Sequence, residues 1–192
     1  MNLINDCTLQ RLSYLTQLHL FDCGKQDLNE FLTDDAVKYA TELLGVTYLF
    51  TLDSNPAEIT CFFTVSNDAL RIDHFPNKIR RRVNKEIPHV KQMRSYPAVK
   101  IGRLGVDLKC KGIGSLLMDF IKGWFSSNNK TGCRFLLVDA YNELDVLKYY
   151  QKNGFRFLLE EEDEIQKDKD GNPKPLKTRL MFFDLIHLIP VN

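Results

Sequence analysis

The fold is decided by the stretch Gly102-Arg103-Leu104-Gly105-Val106-Asp107-Leu108-Lys109-Cys110-Lys111-Gly112-Ile113-Gly114-Ser115-Leu116-Leu117. Val99 to Val106 reads as a strand, Lys109 to Gly114 as a basic, glycine-containing loop, and Gly114 to Phe125 as a helix. That order makes an anion site. N–H groups at a helix start carry roughly half a positive charge, and glycines let backbone approach a phosphate closely. Lys109 and Lys111 add side-chain charge. Ile113, Leu116, Leu117, Phe120, Ile121 and Trp124 fall on one stripe of the helix and Asp119 and Lys122 off it, so the apolar face is expected to lock the loop against a sheet. A Gly-x-Gly after a strand also serves plain tight turns. The chain has no Gly-x-x-x-x-Gly-Lys-Ser/Thr and no three-glycine dinucleotide fingerprint, which disfavours nucleotide triphosphatases and Rossmann enzymes.

Working outward, a short strand is expected at Thr8 to Leu12 and a helix at about Lys25 to Leu32, after a turn at Asp22-Cys23-Gly24. A second helix, capped by Thr33, with Asp34 and Asp35 in its first turn, should run to about Leu44, with Gly45 as its C-terminal cap. Val46 to Leu52 and Ile59 to Ser66 form a hairpin across the turn formers Asp53-Ser54-Asn55-Pro56. Lys78 to Arg94 carries seven Lys or Arg and one acid between proline breakers, a partly helical surface excursion. Phe135 to Ala140 reads as a strand, Leu144 to Asn153 as a helix and Phe155 onward as a strand. Glu160 to Asp170, with seven acids, forms a solvated hairpin tip, and Thr178 to Ile189 closes the sheet. This alternation implies an α/β or α+β layered sheet.

With 192 residues, 44% hydrophobic and 11% aromatic, the chain can bury one sizeable core, and a single domain over 1–192 is expected. A formal charge of +1 gives no global pull toward nucleic acid or membrane. Cys7, Cys23, Cys61, Cys110 and Cys133 are odd in number and form no CxxC, and Met1 opens a polar segment, so a cytoplasmic protein with reduced thiols is expected. No apolar run approaches the ~20 residues that span a bilayer. His19, His74, His89 and His187 lie far apart and no cysteine has zinc-ribbon spacing, so no metal site is expected. The lysines around Cys110 could depress its pKa, but no His lies near it in sequence to make a catalytic pair.

Lys109-x-x-Gly112-x-Gly114 resembles the Arg/Gln-x-x-Gly-x-Gly/Ala loop with which GNAT acetyltransferases bind the pyrophosphate of acetyl-CoA. Lysine at the first position keeps a cationic donor but loses the planar fork. Asn142, with Val146-Leu147-Lys148-Tyr149-Tyr150-Gln151-Lys152-Asn153-Gly154-Phe155, resembles the family's Asn…Phe-Tyr-x-x-x-Gly-Phe segment. Phe21-Asp22-Cys23-Gly24 with Leu28-Asn29-Glu30-Phe31-Leu32, and Gly102 to Asp107, resemble the toxins of toxin–antitoxin pairs that acetylate aminoacyl-tRNA. The resemblance covers most of the chain.

It implies a mixed, mostly antiparallel central sheet of six to seven strands flanked by helices and splayed between the fourth and fifth strands, with a basic insertion at about 76–97 and an acidic hairpin at about 158–176. It implies acetyl-CoA as cosubstrate, held by Leu104, Gly105, Val106, Lys109, Lys111, Gly112, Ile113, Gly114, Ser115 and Asn142. Backbone N–H groups of Leu104 to Val106 would bind the acetyl carbonyl and pantetheine arm, and that of Val106 would stabilise the oxyanion as a primary amine attacks directly. Tyr150 matches the family position whose phenol protonates the departing thiolate; reference pKa values of about 10 and 8.5 suit that transfer. The alternative is an ordinary half-buried helix aromatic, as Tyr149 can be. Glu30, Asp68, Asp107, Asp139 and Glu143 are all conceivable bases. The favoured acceptor is aminoacyl-tRNA, gripped through Arg80, Arg81 and Arg82, with an antitoxin and a second copy of the chain as partners. The basic run is equally readable as a solvated face. The alternatives are acetylation of a protein or small-molecule amine, or a non-catalytic module that binds acyl-CoA or a partner protein.

Overall fold

A computed structural model describes every residue except 1, 2, 4, 17, 19, 20, 86, 130, 131, 161–165, 168 and 190–192. His19 and most of the acidic tract therefore lie outside the described residues. The strands are β1 (Cys7–Arg11), β2 (Val46–Leu52), β3 (Asn55–Arg71), β4 (Ser95–Val106), β5 (Phe135–Tyr141), β6 (Arg156–Phe157), β7 (Gln166–Lys167), β8 (Pro173–Lys174) and β9 (Thr178–Asp184). The α-helices are α1 (Gln26–Glu30), α2 (Ala36–Thr41), α3 (Asn77–Asn84), α4 (Gly114–Ser126) and α5 (Leu144–Lys152). Seven strands join in the order β1-β2-β3-β4-β5-β9-β6, mostly antiparallel with β4 and β5 parallel, and β7 and β8 pair separately. This is the mixed, helix-flanked sheet that the family resemblance implies. Contacts divide the chain into two compact units, Met1–Asn67 with Lys100–Trp124, and Asp68–Val99 with Phe125–Asn192.

In the first unit, side chains alternate across the β2–β3 pair, so the strands bury both faces. Leu49, opposite Phe62, packs with Leu28, Phe31, Leu32 and Ala36 of the helical segment. On the other face Tyr48, Phe50 and Phe63 meet Phe120 and Trp124 of α4 through edge and tilted ring contacts of 4.7 to 6.4 Å between centroids. Thr47 and Thr64 share a buried hydroxyl hydrogen bond of 2.7 Å across the strands. The stripe expected on α4 holds for Ile113, Leu117 and Ile121, but Leu116 is 46% exposed, and Lys122 is buried, its ammonium 3.1 Å from Asp119. A lysine stem is apolar enough to fill a stripe edge while its head finds a carboxylate.

The helix expected to restart at Thr33 does not. Residues Phe31–Asp35 form a π turn joining α1 to α2, and the Thr33 hydroxyl donates backward to the carbonyls of Asn29 and Glu30 instead of capping. The left-handed end of the helical run falls on Leu43, with φ of 60°, rather than on Gly45. A β-bulge marks β2–β3: Phe50 pairs with Cys61 and Thr51 with Ile59, leaving Thr60 extra. The Thr60 hydroxyl donates to the Phe50 carbonyl, 3.0 Å.

The second unit is built on β5 and β9, paired along their full length from Phe135↔Asp184 to Tyr141↔Thr178, with the two-residue β6 beside β9. The long strand expected from Phe155 shrinks to β6, and β9 ends at Asp184, where the Asp184 carboxylate accepts from the Ile186 N–H and opens a 3-10 turn. The same carboxylate accepts from the Arg134 guanidinium, 2.8 Å. The basic excursion is half core: Ile79 and Val83 of α3 bury against Leu70, Ile72, Tyr96, Phe135 and Phe182. Tyr96 ties down the return to β4, its hydroxyl accepting from the Met93 N–H and donating to the Asn84 side chain. No helix among the described residues is long and apolar enough to cross a membrane.

Phe135 is fully buried and meets the rings of both Tyr96 and Phe182. Phe135→Ala is expected to cost about 3–5 kcal/mol, read as a lowered urea midpoint at an unchanged m-value.

Candidate functional site

The basic loop begins with a buried acid. Asp107 is 4% exposed and caps a 3-10 turn over Leu108–Cys110, one carboxylate oxygen accepting from the Lys109 N–H (2.8 Å) and its carbonyl from the Cys110 N–H (2.8 Å). Its own N–H donates to the carbonyl of the bulged Thr60. The chain then turns outward. Gly112 has φ of +97°, a conformation that side chains with a Cβ rarely adopt, and nothing lies within 4 Å of where a Cβ would stand. Among the described residues no group accepts from the N–H of Lys111, Gly112 or Ile113. Three donors and the exposed Lys109 and Lys111 thus stand at the start of the 13-residue α4. That is an anion cradle in physical terms.

A second segment docks under it. The Asp22 N–H donates to the other carboxylate oxygen of Asp107 (3.0 Å), and the Asp22 carbonyl accepts from the Leu108 N–H (2.8 Å). Asp22 is held by its own turn, its side chain accepting from the Gly24 N–H (2.7 Å) and the Asn29 amide (2.8 Å). These two bonds, Gly24 first, hold the Asp22 carboxyl below the usual carboxylate range. Asn29 also accepts from the Cys23 N–H. Gly105 lets the layers close: a Cβ there would stand 2.6 Å from the Phe62 ring and 3.3 Å from that of Phe21. Burial, then the nearby Asp107 carboxylate, pushes the Cys110 thiol up, which corrects the expectation that the lysines would lower it.

Leu104 to Ser115 therefore form one continuous structure in the first unit. Tyr150, Asn142 and the Arg80–Arg82 triplet belong to the second. Tyr150 is buried near the end of α5 between the rings of Tyr149 and Phe155. Burial raises its phenol pKa above the ordinary value of 10, and no described group hydrogen-bonds the phenol oxygen. Gly154, with φ of +81°, ends α5, and a Cβ on it would press the Phe183 ring at 3.0 Å. Asn142 holds the chain before β9, its N–H and amide donating to the carbonyls of Lys177 and Leu176.

No family model matches the chain. Solved structures do. AtaT complexed with acetyl-methionyl-tRNAfMet aligns with a TM-score of 0.71 at 22% identity, over 95% of this chain and 97% of that one. A tyrosine-to-phenylalanine mutant of KacT aligns at 0.65 and 19% identity, over 96% of this chain and all of that one. A mutant AtaT toxin bound to acetyl-CoA and to the C-terminus of the antitoxin AtaR aligns at 0.62 and 19%, over 96% of each chain. The chain has the GNAT fold. The glycine loop of Lys109 to Gly114 lies between β4 and α4.

The three arginines of α3 divide. Arg80 and Arg81 line a groove with Asn84, Lys85, Gln92 and Arg94, whereas Arg82 turns to the Leu158 carbonyl and the Glu160 carboxylate. Among the described residues Arg81, Lys85 and Arg94 form no ion pair. Lys85, just after α3, and Arg94, just before β4, belong to the basic run, and residues nine apart on two sides of a turn show no pattern in one dimension. Of the conceivable bases, Asp107 has both oxygens engaged by backbone N–H groups, and Asp68 accepts from the N–H of Ala69. Among the described residues no group of three His, Cys, Asp or Glu could hold a metal ion.

Gly105→Ala forces a Cβ into the buried Phe62 ring and is expected to cost about 1–3 kcal/mol. Gly112→Ala meets no atom and should cost about 1–2 kcal/mol through backbone strain alone. Urea midpoints of both variants check the comparison, and a structure of the second should show an otherwise unchanged core.

Proposed function

We propose that the protein is an acetyl-CoA-dependent N-acetyltransferase whose acceptor is the amino group of an aminoacyl-tRNA. The observation that carries the reading is the cradle itself: three backbone donors without a partner among the described residues, two lysines and a helix start at the loop whose sequence resembles the GNAT pyrophosphate motif. The likeness to AtaT complexed with acetyl-methionyl-tRNAfMet supports the acceptor, and the likeness to the AtaT toxin bound to AtaR and acetyl-CoA supports both the cosubstrate and an antitoxin partner.

In this reading Lys109, Lys111 and the N–H groups of Lys111 to Ser115 bind the pyrophosphate. Backbone of Leu104 to Val106 receives the pantetheine arm and acetyl carbonyl. The amine attacks the thioester carbon, the oxyanion is stabilised by the Val106 N–H, collapse expels the CoA thiolate, which takes its proton from the Tyr150 hydroxyl, and the proton shed by the attacking nitrogen returns to the phenolate through solvent. Two properties of Tyr150 favour that role over the plain aromatic one. Its phenol oxygen has no partner among the described residues, and burial keeps it protonated. The raised pKa weakens the acid while securing its proton, so the phenol serves a thiolate best when ligand contacts lower the gap. Asn142 steadies the segment before α5 through its bonds to Leu176 and Lys177. Arg80, Arg81, Lys85 and Arg94 take tRNA phosphates, with Arg82 supporting α3 from behind.

Thiol release from acetyl-CoA by purified protein, with and without aminoacylated tRNA, tests the assignment. Release that depends on charged tRNA and drops about 10²–10⁴-fold in Tyr150→Phe is expected; release indifferent to tRNA would move the acceptor to a protein or small amine. Since a raised pKa keeps the phenol protonated until the pH passes its ordinary value, the wild-type rate at saturation should show no loss assignable to Tyr150 below about pH 10. Arg81→Glu with Lys85→Glu should weaken tRNA binding and make its dependence on log salt shallower by about 1 per lost phosphate contact, while acetyl-CoA affinity stays as in the wild type.

A further inference from the structure

Asp107 is a puzzle for any site that takes a polyanion. It is an acid, sits at the root of the loop, and is buried. A carboxylate aimed into the cradle would repel phosphate, and this one is aimed the other way, with each oxygen on a different backbone N–H: Asp22 at 3.0 Å and Lys109 at 2.8 Å. The Asp22 carbonyl answers with a bond to the Leu108 N–H, and Leu108 lies against Gly24, where a Cβ would be 3.4 Å from its methyl. Two chain segments 85 residues apart are thereby clipped by reciprocal bonds. The clip is itself supported by Asn29, whose amide holds the Asp22 side chain and whose oxygen holds the Cys23 N–H.

The consequence lies in which donors are taken and which are left. Asp107 engages the N–H of Lys109 and of Cys110, and the next three, Lys111 to Ile113, are unengaged by any described group. We infer that Asp107, clamped to the Asp22 backbone and braced by Asn29, is the positioning residue of the phosphate loop, fixing where the 3-10 turn ends and so which N–H groups face a pyrophosphate. The inference rests on the acetyl-CoA reading above. It concerns the pyrophosphate half of the ligand only, so it separates the loop from the reacting end.

The separation makes the test. In Asp107→Asn one amide oxygen can keep one N–H, but the amide NH₂ then faces the other, donor against donor. The variant should raise the KM for acetyl-CoA about tenfold or more, hold kcat within about twofold, and leave kcat/KM for S-acetylpantetheine, which lacks the pyrophosphate, unchanged. Asn29→Ala, which leaves Asp107 in place, should shift the same KM in the same direction by a smaller factor, and it serves where Asp107→Asn does not fold. An unchanged KM for acetyl-CoA in a folded variant, or equal losses on both thioesters, would overturn the inference. Wild-type protein that binds no acetyl-CoA at all would instead remove the acetyl-transfer reading on which it rests.

Discussion

A carboxylate buried at a turn is costly unless its oxygens find donors, and Asp107 meets that demand with backbone alone. Because the donors belong to Asp22 and Lys109, satisfying one side chain fixes three pieces of chain at once. These are the end of β4, the start of the basic loop and the segment that leads into α1. The bulge at Thr60 completes the arrangement by turning a carbonyl to the Asp107 N–H. The order of the cradle descends from this polar knot rather than from the glycines, which permit the path without specifying it.

Around the knot the packing is apolar and two-sided. Strand pairs in the first unit present Leu49 and Phe62 to the α1–α2 run and Tyr48, Phe50 and Phe63 to α4. A helix pinned by aromatic contacts on one flank keeps its N-terminal donors at a fixed height over the sheet. In the second unit the same economy of elements appears in α3, which uses Ile79 and Val83 for the core and leaves Arg80 and Arg81 on a groove. One short helix serves both packing and surface charge.

Most of the fold was legible because its signals are local. β-branched runs and the glycine loop mark β2, α4 and α5 closely, whereas β3 runs from Asn55 to Arg71, well past Ile59 to Ser66 at both ends, and β4 starts at Ser95, ahead of Val99. Thr33 misled because a hydroxyl that can cap a helix can equally bond back to the preceding turn, and only the packing of Phe31 and Leu32 decides between them. Leu116 and Lys122 misled because periodicity gives a stripe its direction but not its width. Asp107 and Arg82 were visible as residues and invisible as roles, since their partners, Asp22 and the Leu158 carbonyl, are far along the chain. Asp22 entered the reading as part of a turn and Asn29 only through resemblance, and the hydrogen bonds now supply the physical reason for both.

The loop opens with lysine where the resembled motif has arginine or glutamine, and the backbone geometry suggests why such a change is survivable. A phosphate held chiefly by main-chain N–H groups is recognised by atoms that every residue type possesses. Under the proposed acetyl-CoA reading, the path of the chain through Gly112, Gly105 and the acid behind them would then matter more than which polar side chain stands at position 109. In such a site recognition depends as much on Asp107 and Gly105, which set the path of the chain, as on the groups that meet the ligand.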